Sequence, residues 1–423
     1  MQSESEKKDK KNVIWLGVTS FFTDVSSEMI FAVLPIFLKS VLGAPFAVIG
    51  LIEGVAEGVS SFLKYFSGRL SDALKKRKPL AFAGYSFSTL SKLFLIIANS
   101  WPVVLLLRIL DRVGKGVRTS PRDALISESV SESERGKYFG LHRAMDSAGA
   151  FLGVAVVLFI FWFAFRRFSV PEEQVAPIIR NVFLLAFIPA FLALIPFFFI
   201  KDVIKKEEGG REKARQSKAD LFDFKGFSPS FYKGVAVLAF LAFGNISYAF
   251  FILKSQAVGV EIFLLPALYL VYNFFYALFS YPAGRFSDRL GRVNVLTFGF
   301  LTLAAVLFAF GLSQSGVLMW GFFALYGFSL AIVDSVARAF VADIADPVRK
   351  GESFGLYHMT AGIMSVLGNL VFGFLWDRTD STLPFVIAGV LVTLSAILLI
   401  ILFRGHEATP QKVGIENFRA YRP

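Results

Sequence analysis

The chain has no cysteine among its 423 residues and only three histidines. A disulfide framework, a thiolate metal centre and a cysteine nucleophile are therefore excluded, and imidazole–nucleophile pairs are nearly so. Charge is also scarce: 18% of residues are Asp, Glu, Lys or Arg, against about a quarter in water-soluble domains. No Ser/His/Asp arrangement, His-Glu-x-x-His helix or Walker-type phosphate loop occurs. These absences argue against an enzyme and against ATP as an energy source, and no cofactor or resident metal is expected.

What is present is apolar. Hydrophobic residues make up 55% of the chain, mean hydropathy is +0.61, and there are 50 phenylalanines. Many stretches approach the roughly 20 apolar residues that cross about 30 Å of hydrocarbon. Twelve spans are expected, at 13–40, 45–68, 79–99, 101–124, 136–166, 178–200, 234–257, 261–284, 293–313, 315–342, 352–377 and 383–403. The first is read as a retained span, since no small-residue cleavage site follows it.

The net charge of +12 follows topology. Lys7 to Lys11, Lys75 to Lys78, segment 201–233, Arg285 to Arg292, Arg349-Lys350 and the tail from Arg404 fall on one side of alternating spans. The opposite loops carry little beyond Lys39, Arg166, Arg167, Arg180 and Arg378. This positive-inside pattern predicts cytoplasmic termini in a multi-pass protein of the cytoplasmic membrane and removes the case for a nucleic-acid partner.

The chain also repeats itself. Gly68-Arg-Leu-Ser-Asp72 recurs 216 residues later as Gly284-Arg-Phe-Ser-Asp288, each beside bases. Leu38-Lys39-Ser40 recurs as Leu253-Lys254-Ser255, Arg122 as Arg338, and Phe139-Gly140-Leu141 as Phe354-Gly355-Leu356. A duplicated helical unit is a common transporter plan. It divides the chain into a six-helix bundle (1–200), a charged cytoplasmic linker (201–233) and a second six-helix bundle (234–423).

The repeat acts as an internal control, because charges confined to one copy are not demanded by the scaffold. Asp24 and Glu28 lie in span 1, Glu53 and Glu57 in span 2, and Asp111, Arg112, Lys115 and Arg118 in span 4. His142, Arg143 and Asp146 lie in span 5. Their counterparts are mostly neutral: Ala239 for Asp24, Phe243 for Glu28, Tyr269 for Glu53, Asn273 for Glu57, Phe328 for Arg112 and Ala361 for Asp146. Spans 3, 6, 9 and 12 are nearly charge-free, Lys92 excepted, and are expected to meet lipid.

Span 4 is the most unusual segment. At about 100° per residue, Arg108, Asp111, Arg112, Lys115, Arg118 and Arg122 fall on one helix face. Each charge costs about 2.5–3.5 kcal/mol near the membrane centre, while each large apolar residue offsets only about 0.3–0.6. That face must look onto water or onto acids. Two readings stay open: a buried structural ion network, or a network containing a protonatable group and a substrate contact. Arg122-Asp123, nearer the bases, is a gating candidate.

These motifs resemble those of the major facilitator superfamily, over all twelve spans. That family carries Gly-x-x-x-Asp-Arg-x-Gly-Arg-Arg between spans 2 and 3. Gly68, Asp72, Lys76 and Arg77 match it, with Ala73 and Lys75 as departures; Gly284, Asp288, Arg289, Gly291 and Arg292 match more fully. The resemblance implies that the loop Asp, here Asp72 and Asp288, caps a neighbouring helix and joins a gating charge relay. Arg108, Asp111 and Gly114 sit where the family has Arg-x-x-Gln-Gly-x-Gly, which implies Arg108 as a proton-coupling candidate. Gly149 and Gly153 fit part of the antiporter signature of span 5, but Ala150 and Val154 break it. The strings around Asp24 and Arg118 resemble a prokaryotic subgroup of unassigned substrate.

The expected function is secondary transport of a small solute by alternating access, coupled to protons, by a monomer; uptake and efflux are both open. A metal-ion or organic-anion carrier is the alternative. Asp24, Glu28, His142, Asp146 and His358 supply oxygen and nitrogen ligands, whereas Arg112 and Lys115 would repel a cation and suit a carboxylate or phosphate.

Overall fold

A computed structural model describes residues 4–74, 76–131, 134–202, 226–346 and 349–403, and among these every regular element is a helix. Most of the expected linker, the tail after Phe403 and Lys75 lie outside the described residues. The first half holds α1 (Glu4–Phe31), α2 (Leu34–Ile36), α3 (Phe46–Leu74), α4 (Lys78–Leu95), α5 (Trp101–Glu128), α6 (Arg135–Trp162) and α7 (Val175–Leu192). The second holds α8 (Pro229–Gly244), α9 (Tyr248–Ala257), α10 (Leu265–Leu290), α11 (Arg292–Leu312), α12 (Gly316–Ile344), α13 (Lys350–Arg378) and α14 (Thr382–Phe403). Because α1–α2 and α8–α9 each make one crossing, the chain crosses twelve times. Ten crossings are long and apolar enough to do so by composition; α4 and α5 are the others. They pack on each other through Gly84 and Gly114, where an added Cβ would stand 2.6 Å from the facing backbone or hydroxyl oxygen.

The first crossing of each half is broken. Pro35 cannot donate a backbone hydrogen bond, and α1 gives way to α2 just before it. The second-half break runs from Gly244 to Ser247, where Ser247 N donates to Asn369 Oδ1 at 2.7 Å and Ser247 Oγ accepts from Ala249 N. The two breaks meet: Tyr248 Oη donates to the Phe31 carbonyl at 3.3 Å.

The halves close on each other at the end that carries few bases. Gly50, Gly54 and Gly58 form one stripe of α3 against α13. A Cβ on Gly54 would lie 2.7 Å from Cα of Val366, and one on Gly373 would lie 2.7 Å from Cα of Ala47. Small residues thus let the backbones approach closely. Asp377 of α13 caps the first turn of α3, accepting from Phe46 N at 2.9 Å and Ala47 N at 2.8 Å. The first half reciprocates more weakly, through Glu172 Oε1 and Ile262 N at 3.4 Å. Arg166 pairs with Glu261 at 3.6 Å, and Trp376 stacks on Phe46 at 4.3 Å. The nearby Asp380, which caps α14 through Thr382 N and Leu383 N, has its carboxyl held below the usual range by those backbone bonds.

One expectation changes. Gly68–Asp72 and Gly284–Asp288 are not loop residues: they form the last turns of α3 and α10. The apolar Leu70, Leu74, Phe286 and Leu290 are spaced four apart, which keeps the helical period running through the charged strings. The turn itself is shorter, and in the second half it is Gly291 alone, at φ +90°, where a side chain would be strained. The helices α4, α7, α11 and α14 expose apolar side chains such as Phe94, Ile188, Phe298 and Ile401, while Lys92, the one charge noted among them, is buried and points inward.

Candidate functional site

The charges of α5 are distributed along a ladder. Arg108 Nη2 donates to Glu53 Oε1 at 3.1 Å, and its Nη1 lies 3.8 Å from Asp111 Oδ2. Arg112 Nε lies 3.8 Å from the same oxygen. Both guanidinium groups stand over the ring of Phe31, at 4.6 and 4.9 Å, so one aromatic face system shields two cations. Arg118 turns to α4, donating to Ser88 Oγ at 2.5 Å and covering Tyr85 at 4.5 Å. Ser88 Oγ in turn donates to the Asp111 carbonyl at 3.1 Å. Lys92 donates to Ser27 Oγ at 3.0 Å, fastening α4 to α1.

This ladder forms one wall of a cavity of about 290 Å³ between the halves. Asp24 and Glu28 of α1, Asp111, Arg112, Lys115 and Arg118 of α5, and Arg143 and Asp146 of α6 reach it from the first half. The second half supplies Asn273, Phe274, Tyr276 and Ala277 of α10. Tyr269 Oη donates to Glu28 Oε2 at 2.8 Å, a hydrogen bond between the halves. Behind it the second half stacks tyrosines: Tyr269 lies 5.1 Å from Tyr248 and 5.7 Å from Tyr272, which lies 5.1 Å from Tyr326. Tyr276 donates to Asp334 Oδ2 at 3.1 Å.

The structure therefore brings most of the candidates together and separates some. Asp24, Glu28, Asp111, Arg112, Lys115, Arg118 and Asp146 share the cavity, while Arg108 and Glu53 pair behind it. His142 is buried, with Nδ1 3.7 Å from Asp146 Oδ2. Glu57 does not line the cavity; it is exposed and accepts a long 3.5 Å bond from Ser61 Oγ. Asp24 and Lys115 take part in no ion pair among the described residues, and the donors Arg108 Nε, Arg108 Nη1 and Arg112 Nε are buried without hydrogen-bond partners. Among the described residues, no three His, Asp or Glu side chains converge as metal ligands.

At the base-rich end the two motif copies build one device twice. Arg77 joins Glu128 at 2.9 Å and Ser71 Oγ at 2.6 Å. Arg292 joins Asp343 at 3.2 Å, Ser287 Oγ at 2.5 Å and Asp288 at 2.5 Å. The side chain of Asp72 lies outside the described residues, as does that of Arg69, and Gly68 contributes backbone to α3. The cap on the neighbouring α4 is Asp202, which accepts from Arg77 N and Lys78 N at 3.0 and 2.7 Å. Lys76 and Arg289 are exposed. Arg122 pairs with Asp123 at 2.8 Å and donates to Ser20 Oγ at 3.2 Å, tying α5 to α1 within one half.

Sequence reading does not single out Tyr269, Asp377, Asp202, Glu128, Asp343 or Lys92. For Glu128 and Asp343 a signal exists, since they are acids 215 residues apart, in register with the repeat. For Tyr269 and Asp377 none exists, because both act across the junction of the halves.

Comparison with known proteins agrees with this architecture. The sequence profile of the Major Facilitator Superfamily matches residues 16–269 and 234–420. An uncharacterised MFS-type transporter of Methanocaldococcus jannaschii is 34% identical over 94% of this chain and 96% of its own. Among solved structures, a nucleoside transporter NupG superposes with a TM-score of 0.74 at 13% identity, over 93% of this chain and all of that one. A D-xylose–proton symporter gives 0.71 at 14% identity, over 92% and 96%. The chain is a multi-pass membrane protein and belongs to the Major Facilitator Superfamily of transporters.

Proposed function

We propose that this protein moves a small solute across the cytoplasmic membrane by alternating access, with protons as the coupling ion and Glu28 as the coupling acid. The observation that carries this reading is the Glu28–Tyr269 hydrogen bond. An ionised Glu28 accepts from Tyr269 and joins the halves; a protonated Glu28 is a weaker acceptor and releases that join. Proton binding is then linked to the opening of the cavity, and the same acid touches the space where a solute sits. Asp24, one helical turn away and without an ion-pair partner, completes the site. With the base-poor end shut, the described state faces the base-rich side, which we take as cytoplasmic. The ladder Glu53–Arg108–Asp111–Arg112 fixes the field around Glu28, while Arg77 and Arg292 with their acids work the cytoplasmic gate.

A second reading of the solute rests on a different observation. Arg112, whose Nε is buried without a hydrogen-bond partner, stands beside Lys115 in the cavity wall, and the two cations suit a carboxylate or phosphate group on the solute. The absence of a converging ligand set among the described residues gives a metal cargo no comparable support.

The test is flux in liposomes with and without an imposed pH gradient, after a thermal-shift screen has found a solute. Glu28→Gln should abolish gradient-driven accumulation while solute binding and exchange persist. Undiminished uphill transport by Glu28→Gln would move the coupling site elsewhere.

A further inference from the structure

Two arginines of the second motif copy, Arg285 and Arg289, are left unused by the transport reading. They stand one turn apart on α10, both are exposed, and neither enters an ion pair among the described residues. Beside them an apolar groove of about 320 Å³ runs between α10, α11 and α12, walled by Pro282, Phe286, Phe298 and Phe328. Phe298 lies 6.3 Å from Phe328, and Phe286 and Phe298 are each more than half exposed. A second recess, which contains both arginines, shares the Pro282 and Phe286 wall with this groove.

We infer that the groove holds an acyl chain of an anionic phospholipid whose headgroup phosphate rests on Arg285 and Arg289. The depth is right: Arg289 is the penultimate residue of α10 at the base-rich end, while Phe298 and Phe328 carry the groove toward the membrane interior. The chemistry is right as well, since guanidinium forks match phosphate oxygens, and an exposed aromatic groove matches a hydrocarbon chain. Juxtamembrane bases favour anionic lipids in this way. The first half has Arg69 and Ala73 at the corresponding positions, so it offers one base in place of two, and the site belongs to the second half alone. The inference needs only the membrane location and stands apart from the transport mechanism.

The full chain carrying Phe286→Trp, in vesicles of phosphatidylcholine mixed with brominated lipid, provides the test. Quenching beyond that of the parent reports which lipid occupies the groove. Brominated phosphatidylglycerol should be preferred to brominated phosphatidylcholine by roughly fivefold per arginine. That preference should vanish in Arg285→Gln/Arg289→Gln, survive in Arg285→Lys/Arg289→Lys, and shrink as salt rises. Should the Gln pair fail to fold, the Lys pair and the salt series decide. Equal quenching by the two lipids, a preference indifferent to salt or to the Gln pair, or a second protein chain covering the groove would each overturn the inference.

Discussion

The two halves share a scaffold and differ in what they hold inside it. At the base-rich end they are nearly interchangeable: Arg77 with Glu128 and Ser71 in one, Arg292 with Asp343 and Ser287 in the other. At mid-depth they diverge. The first half lines the cavity with Asp24, Glu28, Arg112 and Lys115, the second with Asn273, Phe274 and Tyr276 backed by stacked tyrosines. Arg112 of one ladder corresponds to Phe328 of the other, and Arg118 to Asp334. Duplication preserved what closes a helical bundle and released what lines the cavity. The charged half is suited to bind ions, and the aromatic half to present a firm, weakly hydrated surface against which they act.

If the charges of the first half are self-supporting, breaking them should hurt more than any change in the second. Arg108→Ala leaves Glu53 buried without its partner and should destabilise the protein by about 3–5 kcal/mol. Thermal unfolding in detergent measures this, and Glu53→Gln/Arg108→Met should regain most of the loss. An Arg108→Ala protein as stable as the parent would mean that the ladder is held open for function alone. A smaller effect is expected at the junction, where the halves cap each other unequally. Removing the bidentate cap with Asp377→Ala should cost the closed arrangement about 1 kcal/mol. Spin labels across the base-poor end should then report a larger open fraction, whereas Glu172→Ala, which removes a single long bond, should change it less. Smallest of all, Glu128→Gln and Asp343→Asn should each cost about 0.2–1 kcal/mol, because both acids are partly exposed. Equal costs would confirm one device built twice; unequal costs would show that the two ion pairs have diverged.

Much of this was legible in the sequence. Apolar stretches and the distribution of bases announce twelve crossings, and the clustering of charge on one face of span 4 announces an interior that is not lipid. The chemistry of the junction was not legible. Tyr269 belongs with Glu28 only because α10 swings against α1, and Asp377 caps a helix more than 300 residues away in sequence; neither relation leaves a local pattern. The string Gly68–Asp72 shows the opposite error. Its glycine, serine and charges suggest a loop, yet Leu70 and Leu74 sustain the helix, and only the fold reveals that the turn comes later. Pairing is likewise invisible beforehand: Asp111 serves two arginines while Asp24, a few residues from Glu28, serves none among the described residues.

The bare stripe of Gly50, Gly54 and Gly58 bears on the kinetics of the alternating-access cycle proposed above. Helices that interlock through long side chains part only after rotamers have been released, and rejoin only after they have been found again. Here α3 and α13 meet backbone to backbone over much of their contact, so separation frees few side chains and closure immobilises few. Speed and balance are therefore governed by different atoms. On that proposal the glycines keep the barrier low in both directions, while the carboxylates at the end of the seam set how long the halves remain together.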